Sequence, residues 1–420
     1  MISKKNKIKV GTHNGLFHCD EVMACSILQV ICDTMDIELE IVRTRDKNEL
    51  EKCDICVDIG GGIYDHHYKG FNERRKDGKG SRYASDGLVF RNFGRKLIEL
   101  VCRKANQKAT KKRIDKLFNI TDKEIIEPID REDNGIEKMP HTFDFINFYN
   151  PAWHEEQTLK KFDEQFYKAF GLTKDMLKIY LQNKINEVEV KKEEKKEDVL
   201  DIENLKNMIR TRRPSIVEYS SSVLKQIELG ETETTNFIDE LNTDDQFVID
   251  RIQADLKDFL ATHDFTIYPS EIKSKIINQK ICAIIDSFYG EKIMNKIIEK
   301  QGKREASILE IPFQTMPWKE AIIKHNAMVT TKSDNKTEDE INFVLFPYPN
   351  GGYALQCVPP SMEDEFSQRI KLPITTMEGI TFIHSGGFFA RGNKDALVKL
   401  AQMAIELHNE KKANSVYEGR

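Results

Sequence analysis

Apolar residues recur with two different periods along the first part of the chain, and the alternation between them predicts a layered α/β fold. Residues 7–13 (Lys-Ile-Lys-Val-Gly-Thr-His) read as a short strand, and the stretch from Asp20 to Cys32 is apolar at helical spacing. Asp20 and Glu21 fall in the first turn of that helix, where the dipole favours carboxylates. Residues 37–44 are strand-like and rich in Ile and Val, and 54–58 (Asp-Ile-Cys-Val-Asp) form a second apolar run that stops at Gly60-Gly-Gly. Further helices are predicted over 86–103 and near 122–132. Strands alternating with helices imply a mainly parallel sheet flanked by helices.

The pattern changes at 187–197, where a mixed-charge run marks a solvated helix or linker. From 200 to 300 the chain is rich in Ile, Lys, Glu and Asp with few glycines, which predicts a largely helical insert. Two apolar runs over 341–346 and 354–358 flank an Asn350-Gly-Gly turn, a hairpin signal. A strand at 381–384 and a helix from Asn393 to His408 complete a smaller α+β domain. The expected organisation is an α/β domain over 1–186, a charged helical insert over 187–300, and a smaller α+β domain over 301–420.

Length and charge narrow the function only slightly. A chain of 420 residues is expected to hold two or three domains, and 64 basic against 69 acidic side chains leave a formal charge of -5. That balance excludes a protein that coats nucleic acid through global charge, so any basic groove is local. Eight cysteines at irregular spacings, with no secretory signal, read as reduced thiols in a cytoplasmic or nuclear compartment. The spacing Cys53-x-x-Cys56 has no partner pair and reads as buried small hydrophobes. No apolar run is long enough for a membrane span, and no mitochondrial transit peptide is evident.

The chemistry lies in the histidines. Four of the ten fall within the first 67 residues, where predicted strands meet loops, and two of them directly follow Asp65. His13, His18 and Asp20 follow the first strand, at the end where open α/β sheets put their ligands. Asp58 ends another strand, Asp65-His66-His67 follows, and Asp130 and Asp133 add later carboxylates. Imidazole with carboxylate suits Mn²⁺, Fe²⁺, Zn²⁺ or Mg²⁺, and so many donors exceed one closed tetrahedral site. Two divalent ions are the economical reading.

Thr12-His-Asn-Gly-Leu-Phe-His-Cys-Asp-Glu21, Val57-Asp-Ile-Gly-Gly, Tyr64-Asp-His-His67, Ser85-Asp-Gly-Leu-Val-Phe and Ile129-Asp-Arg-Glu-Asp-Asn-Gly-Ile136 together resemble the MYG (melanocyte proliferating gene) family. The resemblance continues in Asn150-Pro-Ala-Trp153, Met316-Pro-Trp318 and Ile383-His-Ser-Gly-Gly-Phe388. That family is a branch of the DHH phosphoesterases. The resemblance implies that His18 and Asp20 stand for the superfamily's Asp-x-Asp, with His13 or Asn14 alongside. It implies Asp58 as a bridging carboxylate and His66 as a ligand, with His67 facing substrate and Asp65 beside it. Asp130 is preferred as the ligand closing the second metal, with Asp133 in competition for that role. The implied activity is metal-dependent, Mn²⁺ first and Mg²⁺ second, as a 3′–5′ exonuclease on single-stranded RNA or DNA. Pyrophosphate or dinucleotide hydrolysis, or a scaffold whose insert recruits a protein partner, are the rival readings.

Near the C-terminus, Gly386-Gly387 offers backbone N–H groups to a phosphate, while Arg369 and Arg391 offer guanidinium forks and His384 stands close by. A plain strand-to-helix turn is the competing reading of the glycine pair.

Overall fold

The computed structural model describes residues 6–68, 70–75, 80–136, 142–186, 201–227, 231–243, 245–263, 265, 267–301, 307–312, 317–332, 340–348, 351–361, 367–384 and 386–418. The mixed-charge run 187–197 lies outside them. The chain divides into two units, one from 1–151, 156–200 and 253–283, the other from 152–155, 201–252 and 284–420.

In the first unit, β1 (Lys7–Thr12) is the centre of a parallel three-stranded sheet in the order β2-β1-β3, with β2 at Glu38–Arg43 and β3 at Ile55–Cys56. Parallel pairing needs crossovers, which α1 (Cys19–Thr34) and the short α2 (Lys47–Leu50) supply. Of the residues from Cys19 to Cys32 in α1 only Gln29 is not buried, the pattern of a helix enclosed on all sides. It packs against α3 (Ser85–Lys104) and α6 (Leu159–Asn186). Gly11 on β1 is required by close approach, since a Cβ there would meet Leu50 at 2.9 Å and Cys53 at 3.0 Å.

The predicted parallel sheet and its first helices are therefore present, with differences at the edges. Strand β3 is only two residues long, because the backbone turns to positive φ at Asp58 before the apolar run is used up. The helix expected near 122–132 begins earlier: α4 (Lys111–Thr121) passes through a π-helical turn (Asp122–Ile126) into α5 (Glu127–Asp133). Pro128 is the second residue of α5, which directly follows the π-helical turn.

The expected helical character of 200–300 is seen in α7 (Ile202–Gln226), α8 (Glu231–Thr243), α9 (Asp245–Thr262) and α10 (Ser270–Gln301). Their residues divide between the two units. In the first unit, His263 meets Asp144 at 3.0 Å and the ring of Phe259 lies 6.1 Å from Phe148.

The second unit contains a five-stranded sheet in the order β4-β5-β6-β8-β7. Its strands are β4 (Ile308–Glu310), β5 (Phe343–Pro347), β6 (Tyr353–Cys357), β7 (Ile380–Ile383) and β8 (Phe389–Gly392), with α11 (Trp318–Lys332) between the first two. Strands β5 and β6 form the expected antiparallel hairpin, and Gly351 and Gly352 adopt φ of +89° and +77° in its turn. Asn350 lies outside the described residues. Helix α12 (Lys394–Glu418) buries Leu397, Leu400, Ala401 and Ala404 against Phe343, Leu345, Leu355 and Ala390.

Candidate functional site

Four segments of the first unit converge on Asp58. His13 follows β1, His18 is the N-cap of α1, Asp20 and Glu21 occupy its first turn, and His66 and His67 lie in the loop after β3. His13 Nε2 stands 3.1 Å from Asp58 Oδ2 and 3.1 Å from Glu21 Oε1. The other Asp58 oxygen, Oδ1, lies 3.3 Å from His66 Nε2 and 3.0 Å from His67 Nδ1. His66 Nε2 is also 3.0 Å from Asp133 Oδ2 and 3.9 Å from Asp20 Oδ2. Donor atoms gather within 4.8 Å of one another in three overlapping groups: His13, His18, Glu21 and Asp58; Asp58, His66 and His67; and His18, Asp20 and Asp133.

The backbone is shaped to make this possible. Asp58 has φ of +59°, a left-handed conformation uncommon for a non-glycine residue, though aspartate tolerates it better than most. Ser85 Oγ donates to Asp58 Oδ1 at 3.0 Å, and the Ser85 N–H donates to Asp20 Oδ2 at 3.2 Å. Thus the start of α3 presents donors to two carboxylates. Glu21 accepts from the His18 N–H at 2.8 Å, which ties the first turn of α1 to its own N-cap.

Charge in the cluster is balanced by protons. Burial opposes the imidazolium of His13, but Glu21 and Asp58 outweigh it and raise the group to about 9. Burial likewise opposes His67, which its hydrogen bonds to the accepting carboxylates of Asp58 and Asp65 raise to about 10. Asp58 is buried, yet His13, His66 and His67 hold its carboxyl well below the ordinary range. Asp20 moves the other way, driven well above that range by burial and by repulsion from Asp133 and Asp58. Its Oδ1 is buried with no hydrogen-bond partner among the described residues. Opposite shifts in adjacent groups mark a site whose charges are set for a ligand.

Asp130 stands in a different environment from Asp133. Its carboxylate accepts from the N–H groups of Ala84 at 2.5 Å and Gly87 at 3.3 Å, and the Arg75 guanidinium pairs with it at 2.5 Å. Arg75 also grips Asp122 through two hydrogen bonds. Any side chain at Gly87 would collide with Asp130, which accounts for that glycine. Burial raises Asp130 to about 6, and its neighbour Asp86, also buried, is driven well above the carboxylate range by burial and by Asp130. Asp130 thus anchors the start of α3, whereas Asp133 faces His66.

Among the expected first-unit residues, the structure brings together His13, His18, Asp20, Asp58, His66, His67 and Asp133. Asp65 meets His67 Nδ1 at 3.4 Å and accepts from the Gly61 and His67 N–H groups, so it shapes the loop. Glu21, Ser85 and Arg75 were not anticipated as site residues. The sequence marks Glu21 only by its place in the helix dipole and by its position three residues after the N-cap histidine.

In the second unit, the Gly386-Gly387 pair forms a strand-to-strand turn between β7 and β8 and not a strand-to-helix turn, because residues 389–392 continue the sheet. The Gly386 N–H donates to His384 Nδ1 at 2.9 Å and the Gly387 N–H to the His384 carbonyl at 2.8 Å. Gly387 has φ of +71°, and a Cβ on it would approach the Leu372 carbonyl to 2.7 Å. Arg369 pairs with Glu340 at 2.8 Å. Of the groups expected to receive a phosphate, the two glycine N–H groups and Arg369 are therefore engaged within the unit itself, whereas Arg391 makes no ion pair among the described residues.

No helix among the described residues is long and apolar enough to cross a membrane. No solved structure matches the chain. Among curated proteins, it is 37% identical over 139 residues to the MYG1 exonuclease of Mus musculus, which covers 30% of this chain and 35% of that protein. It is 31% identical over 188 residues to a MYG1 protein of Schizosaccharomyces pombe (41% and 56% of the two chains) and 34% identical over 179 residues to one of Caenorhabditis elegans (38% and 51%). The chain thus spans between about a third and a little over half of the length of the curated relatives it matches. A family model for MYG1 exonucleases, described as "Uncharacterised protein family (UPF0160)", matches residues 9–266 and 265–405 and so runs through the helices of 200–300. The chain belongs to this MYG1 family.

Proposed function

We propose that this protein is a divalent-metal-dependent phosphodiesterase of the DHH type, acting as an exonuclease on single-stranded RNA or DNA. The observation that carries this reading is the division of Asp58: one carboxylate oxygen faces His13, the other faces His66 and His67. A carboxylate approached on both oxygens by separate imidazole sets suits a bridge between two ions. The fit is supported by the crowding of buried carboxylates and by the unpartnered Asp20 Oδ1. The relative from Mus musculus is named an exonuclease, which supports a nucleic-acid substrate.

In this reading His13, His18, Asp20, Glu21, Asp58, His66 and Asp133 hold the two ions, with Mn²⁺ preferred over Mg²⁺ by the imidazole content. When bound, such ions supply Lewis acidity and make water a nucleophile at neutral pH. His67 does the work on substrate. Its side chain is 50% exposed while Asp58 and Asp65 hold Nδ1, so the imidazole is oriented and can deliver a proton to a leaving oxygen. Asp65 is a positioning residue. The catalytic chemistry belongs to 1–186.

The test is anaerobic metal analysis joined to a substrate panel of single-stranded RNA, single-stranded DNA, dinucleotides and pyrophosphate, with Asp58→Asn as control. About two ions per chain and cleavage of single strands from the 3′ end are expected, and Asp58→Asn should lose about a thousandfold in rate, roughly 4 kcal/mol. Cleavage of pyrophosphate alone would sink the nuclease assignment. Turnover by Asp58→Asn at the wild-type rate would sink the bridging role.

A further inference from the structure

The C-terminal sheet carries a side-chain cluster that the proposed reaction does not use. Phe382 on β7 and Phe389 on β8 have ring centroids 6.3 Å apart, and Tyr348, just beyond β5, lies 6.5 Å from Phe389. The Arg391 guanidinium sits 4.7 Å from the Phe382 ring and 5.0 Å from the Tyr348 ring. Phe389 and Arg391 are two residues apart on one strand and share a face, while Ala390 between them points into the core under α12. The four members are half-buried, and the adjoining Phe388 is exposed.

The charge of Arg391 is what distinguishes this cluster from ordinary packing. Arg369 is spent on Glu340. The Arg391 side chain makes no ion pair among the described residues, and its Nε is buried without a hydrogen-bond partner. The cluster therefore combines flat aromatic surface with a cation that has no ion-pair partner among the described residues. A ligand satisfying both needs planar rings and regularly spaced negative charge, which is the makeup of a single-stranded nucleic acid. A duplex offers the charge but hides the ring faces.

We propose that this sheet face binds single-stranded nucleic acid, with bases stacking on Phe382 and its aromatic neighbours and a phosphate meeting Arg391. The inference rests on the nucleic-acid reading above, but it concerns binding, so it is tested without cleavage.

Fluorescence anisotropy of the full chain in EDTA, with labelled short RNA and DNA single strands and a matching duplex, reads the face directly. Phe382→Leu should weaken single-strand binding about tenfold while Phe382→Tyr retains it, since a ring and not mere bulk is needed. Arg391→Gln should also weaken it and lower the salt dependence by about one phosphate contact. Unchanged affinity in both Phe382→Leu and Arg391→Gln would overturn the proposal, and so would equal losses on single strand and duplex. A measurement free of variants accompanies these. Ultraviolet cross-linking of the wild-type chain to a bromouridine strand should place adducts on Tyr348, Phe382, Phe388 or Phe389, and adducts found only elsewhere would overturn the assignment. Because EDTA is present throughout, failure of metal-dependent hydrolysis would count against the catalytic reading alone.

Discussion

The Asp58 cluster and the Gly386-Gly387 turn look alike in sequence: histidines, glycines and charged residues gathered where strands meet loops. In the folded protein they differ in what is left over. At the turn, both glycine N–H groups are already on His384 and Arg369 on Glu340, leaving only Arg391 without an ion pair among the described residues. Around Asp58 the carboxylates outnumber the cations able to neutralise them, Asp20 is pushed toward its neutral form, and the histidines carry protons to compensate. Residue type finds both places; unspent charge separates a site from a turn.

The comparison breaks most visibly at the two aspartates three residues apart. Asp130→Ala in EDTA should cost about 3 kcal/mol of stability, because it strips Arg75 of a buried partner and the start of α3 of its acceptor. Asp133→Asn should cost less than half of that, yet weaken Mn²⁺ binding at least about tenfold. Urea denaturation and calorimetric titration read the two effects, and a reversal of the order would return Asp130 to the metal.

Gly387→Ala should destabilise by about 2 kcal/mol, because it places a Cβ against the Leu372 carbonyl in a left-handed conformation. A melting temperature equal to wild type would show that the turn is not held by packing, and would reopen it as a ligand loop.

The smallest effect concerns pH. His13 at about 9 is protonated at about pH 7, and a ligating imidazole must be neutral, so metal loading releases its proton. Mn²⁺ affinity should therefore rise about tenfold per pH unit for each proton released, until the histidines are neutral in the free protein. Affinity that is flat between about pH 7 and pH 8, with no buffer dependence of the binding enthalpy, would show that the cluster is not a metal site.

Much of this was legible before folding. The period of the apolar residues predicted β1, α1, β2 and α3 because local side-chain alternation and burial on one layer dictate them. His13, His18, Asp20, Asp58 and His66 could be named because strand ends place side chains at a sheet's carboxyl edge. Other features could not be read locally. Whether Asp130 or Asp133 faces His66 depends on the phase of α5, which follows a π-helical turn that shifts the register of side chains around the axis. That Arg75 clamps Asp130, that Ser85 donates to Asp58, and that Arg391 lies between two rings are contacts between segments distant in sequence. Periodicity reports which face of an element is buried; only the tertiary structure decides which polar groups meet there, because that depends on how separate elements pack.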